Sequence, residues 1–486
     1  MKPADLGIGL VYIPGLEPLF ESRDGNVQVL ELEPQALWRY FSRRSQPYVN
    51  QLDLLDRLNA LPQKKIVHGV GFPVGGSRVP DPRHLEPFRE AIEAIDAAWA
   101  SEHLVFNEAQ DPDGEVYQTG FFLPPLATPA GVEAATRTIR SVSQSLPVPF
   151  AVETPTNYLK SRHGQMSDGA FTAAVVERAD CGILLDLHNI WTNERNGRQG
   201  VEAFLSEIPL ERVWEIHLAG GVKYGDYWLD AHSGEIPRPV IAWAHRLIPH
   251  LPNLGAVIFE LLPAYLPKFG LDGVRRAVDE LNELWALRCS PPQPDDSIRR
   301  SSPPVLEMDD TVSPTEWENA LADAILSDDL PTTPLGKQLA QDPAVPLIRT
   351  LNHKFRLSAV VANLRMSIRL LLLNLHEEAF DQLVTDYCLT IKPQRFAAAE
   401  ARNFADYVNS LELDIPYLDE LLNYEITAID VIADGRSRRV PFSVDPNKLL
   451  DALARGDLPE NLTPADYEAE ITPPIDKSFE TQPLYH

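Results

Sequence analysis

The 486-residue sequence predicts an α/β fold, a TIM-type (β/α)8 barrel followed by a mainly helical C-terminal domain. Three observations support this prediction. Short apolar runs alternate with helical patterns along the first part of the chain, most runs end near a carboxylate or an imidazole, and a Pro/Ser-rich stretch then interrupts the pattern. Strand–helix alternation favours parallel strands with right-handed crossovers, and eight such units in about 290 residues are typical of this barrel.

The barrel strands are predicted from eight short runs, because aliphatic runs of this length are typical of strands buried on both faces. These runs are Gly7–Ile13, Val27–Leu32, Lys65–Val70, His103–Phe106, Val148–Glu153, Gly182–Asp186, Val213–Leu218 and Ala256–Glu260. Helical patterns fill most of the gaps, at Leu52–Ala60, His84–Trp99, Pro129–Ser145, Asp168–Arg178, Pro239–Ile248 and Leu271–Leu287. We therefore assign residues 1–288 to the barrel domain.

The character of the sequence changes after Trp285. Residues 289–312 are rich in proline, serine and aspartate, a composition that cannot build a core, so we interpret them as a linker. Residues 313–486 are predicted to form a mainly helical domain. Its predicted helices are Thr315–Leu326, Leu357–His376, Ala379–Leu389, Ala398–Ser410 and Tyr417–Asp430, and a short β-like segment follows at Arg439–Val444.

Composition and charge exclude several classes of function. The formal net charge of −27 argues against nucleic-acid binding, which needs a basic surface. Apolar runs stay well below the roughly 20 residues that cross a bilayer, and the N-terminus lacks an apolar signal region, so we expect a cytoplasmic protein with no membrane partner. Cys181, Cys289 and Cys388 are too few and too widely spaced for a disulfide scaffold or a zinc ribbon.

The candidate functional residues lie near the ends of the predicted strands and in one later loop. The candidates are His68, His103, Glu153, Asp186, His188, His217, Asp230, His232 and Glu260. Because the C-terminal ends of the strands meet at one mouth of a barrel, we expect these side chains to converge. Crowded carboxylates and imidazoles are poorly solvated and repel their like, and a multivalent cation removes both difficulties.

The donor types indicate which metals this site would accept. Nitrogen and oxygen ligands without thiolate suit iron, manganese or zinc. Nine side chains exceed the needs of one ion, so we predict two or three metals with bridging carboxylates. Asn189 is equally compatible with a ligand and with an outer partner of a ligand. Glu102 is left out, because alternation along a strand places it on the face opposite His103.

Eight short motifs occur in order along residues 5–285. They are Gly7–Leu10, His68–Gly71, Ser101–Leu104, Glu153–Tyr158, Leu184–Asn189, Glu215–Gly220, Asp230–His232 and Glu260. On these motifs the sequence resembles the multinuclear non-heme iron-dependent oxidative enzymes of the methanobactin-biosynthesis oxidase type. Members of that family are TIM barrels that use dioxygen to modify ribosomally made peptides, commonly at cysteine.

The resemblance implies two or three iron ions, in mixed Fe(II)/Fe(III) states, with dioxygen as co-substrate. By the same resemblance, the metal ligands of the family correspond to His68, His103, Glu153, Asp186, His217, Asp230, His232 and Glu260. We expect the reaction to depend most directly on His68, His103, Glu153, Asp186, His217 and Glu260. Family members often have Asn where this chain has His188, which implies a third metal position of different affinity or identity. Ser233 and Leu261 also depart from the Asp and Arg that many members have there.

The C-terminal part resembles the partner protein that is usually encoded beside such oxidases and helps to bind the precursor peptide. The matching segments are Phe380–Tyr387, Asn403–Tyr407 and Ile415–Leu421. The resemblance implies a fusion of enzyme and partner, which makes a separate partner protein unnecessary because fusion gives a high effective concentration. An unrelated helical oligomerisation domain is the alternative.

The sequence thus predicts an iron- and dioxygen-dependent enzyme that oxidises a ribosomally synthesised precursor peptide, at a cysteine by resemblance, with the C-terminal domain binding the peptide. The first alternative is a metal-dependent hydrolase or isomerase on the related sugar-isomerase and endonuclease barrel, acting on a small substrate. The second is a binding module that retains a metal for structure, and an open coordination position would argue against it.

Overall fold

Eight parallel strands close into a barrel in the computed structural model, which describes residues 3–22, 25–41, 44–289, 311–458 and 462–473. The strands are β1 Gly7–Val11, β2 Val29–Leu32, β3 Lys64–Gly69, β4 Ala100–His103, β5 Phe150–Glu153, β6 Gly182–Asp186, β7 Val213–Ala219 and β8 Ala256–Glu260. Each strand pairs with the next in sequence, and β8 pairs with β1. The predicted fold class, a (β/α)8 barrel with a mainly helical C-terminal region, is confirmed.

One strand prediction is wrong in position. The fourth barrel strand was predicted at 103–106, but β4 ends at His103, and Phe106–Gln110 instead forms an antiparallel hairpin with Val116–Leu123. The residues of β4 before His103 include Ser101 and Glu102, whose polar side chains hide a buried strand from a search for apolar runs. The structure therefore places His103 at the carboxyl end of its strand, beside Glu153 on β5.

Among the described residues of the first 289, nine helices accompany the barrel. They are α1 Glu17–Phe20, α2 Leu52–Asn59, α3 Pro82–Ala94, α4 Pro129–Ser143, α5 Asp168–Ala179, α6 Leu187–Arg195, α7 Val201–Glu207, α8 Arg238–Leu247 and α9 Leu266–Ala286. Capping side chains begin several of them: Thr128 accepts the N–H of Gly131, and Ser167 accepts that of Ala170. Their apolar faces pack on the strands in one continuous core.

Short hairpins and 3-10 turns extend from the barrel. Two further hairpins pair Arg39–Tyr40 with Tyr48–Val49 and Gly221–Tyr224 with Tyr227–Asp230. The 3-10 turns are Pro34–Leu37, Leu210–Arg212, Ile248–His250, Pro263–Tyr265 and Leu287–Cys289. The hairpin Gly221–Asp230 follows β7 directly and so delivers Asp230 to the carboxyl end of the barrel.

The C-terminal region contains eight helices and one hairpin among its described residues. The helices are α10 Pro314–Leu326, α11 Pro334–Ala340, α12 Val345–Asn363, α13 Arg365–Asn374, α14 Glu377–Thr390, α15 Ala397–Ser410, α16 Leu418–Asp434 and α17 Pro446–Arg455. The hairpin pairs Arg438–Phe442 with Tyr467–Ile471. Most of the predicted linker, residues 290–310, lies outside the described residues, and the domain boundaries stay a prediction.

The predicted helix 357–376 is two helices. Leu364 has non-helical φ and ψ angles of −118° and 47°, and α12 and α13 meet there at 113°. Glu425 of α16 accepts the backbone N–H groups of Met366 and Ser367 at 2.7 and 2.9 Å, which satisfies the first turn of α13. Among the described residues no single helix is long and apolar enough to span a membrane. The helices α12 and α13 reach that length and apolarity only when they are taken together, and they are bent by 113° where they join.

The two regions meet along a polar seam, which we define by Ser77, His84 and Glu108 on the barrel and Glu318 and Arg395 on the C-terminal region. Glu318 accepts both the N–H and the hydroxyl of Ser77, at 2.6 and 2.5 Å. Arg395 donates to the Gly71 carbonyl oxygen at 2.8 Å, lies 2.6 Å from His84 Nδ1, and pairs with Glu108. Because Gly71 follows β3 closely, the C-terminal region touches the loop behind His68.

The seam predicts an acid-dependent loss of stability through His84. Burial and the Arg395 guanidinium lower the pKa of His84 to about 2, whereas an unfolded histidine titrates near 6.5. Below pH 6.5 the unfolded chain therefore binds a proton that the folded chain does not, and stability falls as pH drops, by about 1.4 kcal/mol per pH unit. We expect the wild type to lose about 2 kcal/mol more than a His84→Gln variant between pH 6.5 and pH 5.

Urea unfolding of the metal-free protein at several pH values measures this difference. His163→Gln, which alters an exposed histidine, is the matched control and should follow the wild type. Equal pH dependence of the wild type and the His84→Gln variant would contradict the expected neutral, buried state of His84.

Candidate metal centre

The structure brings all nine predicted site residues together at the carboxyl end of the barrel. In each residue a carboxylate oxygen or an imidazole nitrogen lies within about 5 Å of such an atom in another of the nine. Six come from the strands β3 to β8, one from the first turn of α6, and two from the hairpin Gly221–Asp230 and the residues after it. The nine are His68, His103, Glu153, Asp186, His188, His217, Asp230, His232 and Glu260.

Their atoms form three overlapping groups that we call positions A, B and C. In each group the candidate ligand atoms lie within 4.8 Å of one another. Position A consists of His68, His103 and Glu153; position B of Glu153, Asp186 and His217; position C of Asp186, His232 and Glu260. Glu153 and Asp186 each belong to two positions, as expected of carboxylates that bridge metal ions.

Glu153 occupies the centre of position A. Its Oε2 atom lies 3.0 Å from His68 Nε2 and 3.1 Å from His103 Nε2, so one oxygen faces two imidazoles. The register of β4 and β5 sets this geometry, because His103 and Glu153 are direct strand neighbours. His68 Nδ1 lies 2.8 Å from Ser101 Oγ, which leaves Nε2 turned towards the centre.

Buried polar atoms without a hydrogen-bond partner indicate that the centre fits metal ions. Within the described part of the chain, buried ligand-type atoms at the centre make no hydrogen bond of acceptable geometry. They are Glu153 Oε2, Asp186 Oδ2, His188 Nδ1, His217 Nδ1, Asp230 Oδ1 and Glu260 Oε2. Unpaired buried carboxylates are costly, and a cation compensates them. The all-nitrogen-and-oxygen donor set suits iron, manganese or zinc.

The charges at the centre are strongly coupled. Burial opposes protonation of His68, but its hydrogen bond to and charge interaction with Glu153 outweigh burial and raise its pKa to about 10. Burial raises the pKa of Glu260, yet His217 and His232 outweigh it and hold that pKa well below its usual range. Without a metal His68 therefore holds a proton that a metal ion must displace, so metal affinity at position A should rise with pH.

Two buried glutamates, Glu31 and Glu215, were missed from the sequence. Both are 0% exposed, and His217 Nε2 lies 2.9 Å from Glu31 and 3.4 Å from Glu215. Burial, with the nearby Glu215 charge, raises the pKa of Glu31 to about 8. Each interrupts an apolar strand with a carboxylate, which is the sequence signal that could have identified them. With His217 they form a fourth group of ligand-type atoms within 4.8 Å of one another, beneath positions A, B and C.

Two residues near the ligands act as their hydrogen-bond supports. Contrary to the strand-alternation argument, the buried Glu102 carboxylate reaches His103 Nδ1 at 3.2 Å and accepts the N–H of Phe72 at 3.1 Å. Asn189 donates to Glu153 Oε1 at 3.3 Å, and its own N–H donates to Asp186 Oδ1 at 2.7 Å. The Asn189 amide is thus engaged by its neighbours, as an outer partner would be.

The centre opens to solvent along one side. The side chains of His103, Asp230 and His232 are 18%, 19% and 25% exposed, whereas that of Glu153 is only 3% exposed. The ring of Phe122, from the hairpin 106–123, lies 4.7 Å from the His103 ring and covers part of the opening. A substrate would approach the centre past these residues.

Comparison with known proteins identifies relatives of the barrel. The model of a family described as "RiPP precursor modification enzyme MbnB/TglH/ChrH" matches residues 18–262, half of the chain. A UPF0276 protein of Shewanella loihica is 27% identical over 302 residues, which cover 60% of this chain and 98% of the relative. The UPF0276 protein VP3015 of Vibrio parahaemolyticus is 33% identical over 187 residues, 38% of this chain and 62% of the relative.

Some matches are shorter or more distant. A UPF0276 protein of Streptomyces avermitilis is 30% identical over 187 residues, 38% of each chain, so this chain spans between about a third and two thirds of the first relatives it matches. Among solved structures, D-psicose 3-epimerase with D-tagatose from Clostridium cellulolyticum H10 is 12% identical, covers 59% of this chain and 99% of its own, and gives a TM-score of 0.39.

Proposed function

Because this chain belongs to the RiPP precursor modification enzyme family MbnB/TglH/ChrH, we propose that it oxidises a ribosomally synthesised precursor peptide with iron and dioxygen, at a cysteine. The observation that carries the proposal is the overlap of three nitrogen-and-oxygen ligand groups through Glu153 and Asp186. Nitrogen-and-oxygen donors without thiolate suit iron among other metals, and carboxylates shared between positions would hold neighbouring ions close together.

The chain's own residues would bind and separate the ions. Glu153 and Asp186 bridge the three positions, and His68 and His103 complete position A. Glu31 and Glu215 are fully buried beneath the centre, whereas the side chains of His103, Asp230 and His232 are partly exposed on its open side. Bound there, iron would supply one-electron chemistry and dioxygen activation, which protein side chains do not provide.

We assign peptide binding to the C-terminal region, residues 313–486. Support comes from the seam, where Glu318 and Arg395 fasten this region beside the opening of the centre. The hairpin 106–123 links the two, because Asn352 of α12 donates to the Thr119 carbonyl oxygen at 2.6 Å while Phe122 contacts His103. A peptide held on this region would reach the opening at high effective concentration, without a separate partner protein.

The proposal is tested with anaerobically purified protein reconstituted with Fe(II), and with the small peptides encoded beside its gene as substrates. We expect oxygen uptake that requires both iron and peptide, a mass change in the peptide, and loss of both when its cysteines are replaced by serine. Full turnover with zinc or manganese and no oxygen uptake would instead support a hydrolase or an isomerase.

A further inference from the structure

We propose that Trp228 and His188 form a positioning pair that holds Asp230 at the metal centre, and that His188 is not itself a metal ligand. The inference deepens the proposed function, on which it rests for the presence of metal ions. It concerns the side of the centre around position C, where the sequence left open whether His188 binds metal.

The hydrogen bonding of His188 assigns its two nitrogens different roles. The indole Nε1–H of Trp228 can only donate, and it lies 3.2 Å from His188 Nε2. His188 Nε2 must therefore accept, and in a neutral imidazole the hydrogen then resides on Nδ1. His188 Nδ1 lies 3.2 Å from Asp230 Oδ1, an ion-pair distance without the geometry of a hydrogen bond. With Nε2 accepting from the indole and the hydrogen on Nδ1, His188 has no lone pair left for a metal ion.

The surroundings of Trp228 hold its indole in this orientation. Asn196 clamps the Trp228 backbone, donating to its carbonyl oxygen and accepting its N–H, both at 2.9 Å. The ring packs edge-on against Trp191, with centroids 5.4 Å apart, and the Arg195 guanidinium lies 5.7 Å from it. Trp191 and Arg195 thus contact the indole, while Asn196 holds the backbone that carries it.

Gly221 makes the contact between Trp228 and His188 possible. A Cβ atom at Gly221 would lie 2.2 Å from Trp228 Nε1 and 2.7 Å from His188 Nε2, well inside van der Waals contact. The backbone of the hairpin Gly221–Asp230 therefore leaves a slot in which indole and imidazole meet.

The arrangement fixes the position of the Asp230 carboxylate. Its Oδ1 atom lies between two imidazoles, 3.2 Å from His188 Nδ1 and 3.0 Å from His232 Nε2. Outer partners of this kind fix a ligating carboxylate in one orientation, and their loss commonly weakens metal binding by about 10- to 100-fold. His188 therefore acts on the metal through Asp230.

The test measures Fe(II) binding under anaerobic conditions, by equilibrium dialysis with elemental analysis, and needs no turnover. We expect His188→Gln and Trp228→Phe each to bind as many ions as the wild type, with one ion weakened by about 10- to 100-fold. The double variant should lose no more than the worse single variant, because both residues act through one hydrogen bond. Trp243→Phe, a tryptophan on α8 away from the centre, is the matched control.

Other results would overturn the inference. If His188→Gln loses one ion completely while Trp228→Phe binds like the wild type, His188 is a ligand. If both variants bind like the wild type, the pair positions nothing. If His188→Gln does not fold, the Trp228→Phe variant alone decides, because its affinity either falls or stays. A protein that binds iron as expected but never takes up oxygen would contradict the proposed function and leave this inference standing.

Discussion

Replacing Glu153 with alanine is expected to leave at most one metal position occupied and to reduce peptide oxidation to background. Glu153 belongs to positions A and B, so its removal takes a ligand from both and leaves position C, built by Asp186, His232 and Glu260. The loss is larger than for an ordinary ligand, because the bridging oxygen Oε2 also separates His68 and His103. Without it the two imidazoles lose the carboxylate that lies between them.

Elemental analysis of reconstituted protein, with EPR of the remaining ion, measures this outcome. Asp186→Ala provides the informative comparison, because it removes positions B and C and leaves position A, so the remaining ion should have different spectroscopic properties. Glu133→Ala removes an exposed carboxylate that pairs with Arg178 and serves as the control. Full iron content and full activity in the Glu153 variant would show that the bridging assignment is wrong.

Replacing Arg356 with alanine is expected to destabilise the C-terminal region by about 3–5 kcal/mol. Arg356 is only 2% exposed, and it donates to Glu400 at 2.6 Å and to the carbonyl oxygens of Cys388 and Ile391 at 2.8 and 2.7 Å. Its removal leaves a buried carboxylate without a counter-charge, and a buried charge without a partner is far costlier than a missing surface ion pair.

Urea unfolding followed by circular dichroism measures the loss. Arg402→Ala breaks a partly exposed pair with Asp430 and should cost about 1 kcal/mol or less. The double variant Arg356→Met, Glu400→Leu should recover much of the stability, because it removes the buried charge rather than orphaning it. A loss below 1 kcal/mol in Arg356→Ala would mean that water reaches Glu400 in the folded protein.

The strand ends of the barrel could be predicted because two independent constraints meet there. A buried parallel strand must be apolar, and the first polar residue after it lies at the mouth, so Glu153, Asp186 and Glu260 were identifiable from position alone. Asp230 and His232 were recognisable as a closely spaced pair, although only the hairpin Gly221–Asp230 brings them to the mouth.

The remaining features depend on contacts between distant parts of the chain. A carboxylate inside an apolar run marks Glu31 and Glu215 in the sequence, but their contact with His217 forms only when the barrel closes. The break at Leu364 falls inside a continuous apolar helical pattern, and it is stabilised by Glu425, a residue of α16. Glu102 was left out because strand alternation does not foresee a side chain that contacts both His103 and the loop after the neighbouring strand β3.

The hairpin 106–123 belongs to the barrel by sequence, yet it is supported largely from the C-terminal region. Asn319 accepts the N–H of Gln110 at 2.9 Å, Asn352 donates to Thr119, and Lys392 pairs with Asp111 at 3.1 Å. Phe122, whose ring lies against that of His103, is therefore part of a hairpin that is held by side chains more than 200 positions further along the chain. Removing the C-terminal region would therefore change the opening of the centre while leaving all its ligands in place. Sequence variation among residues 313–486 can thus alter which substrates reach the centre.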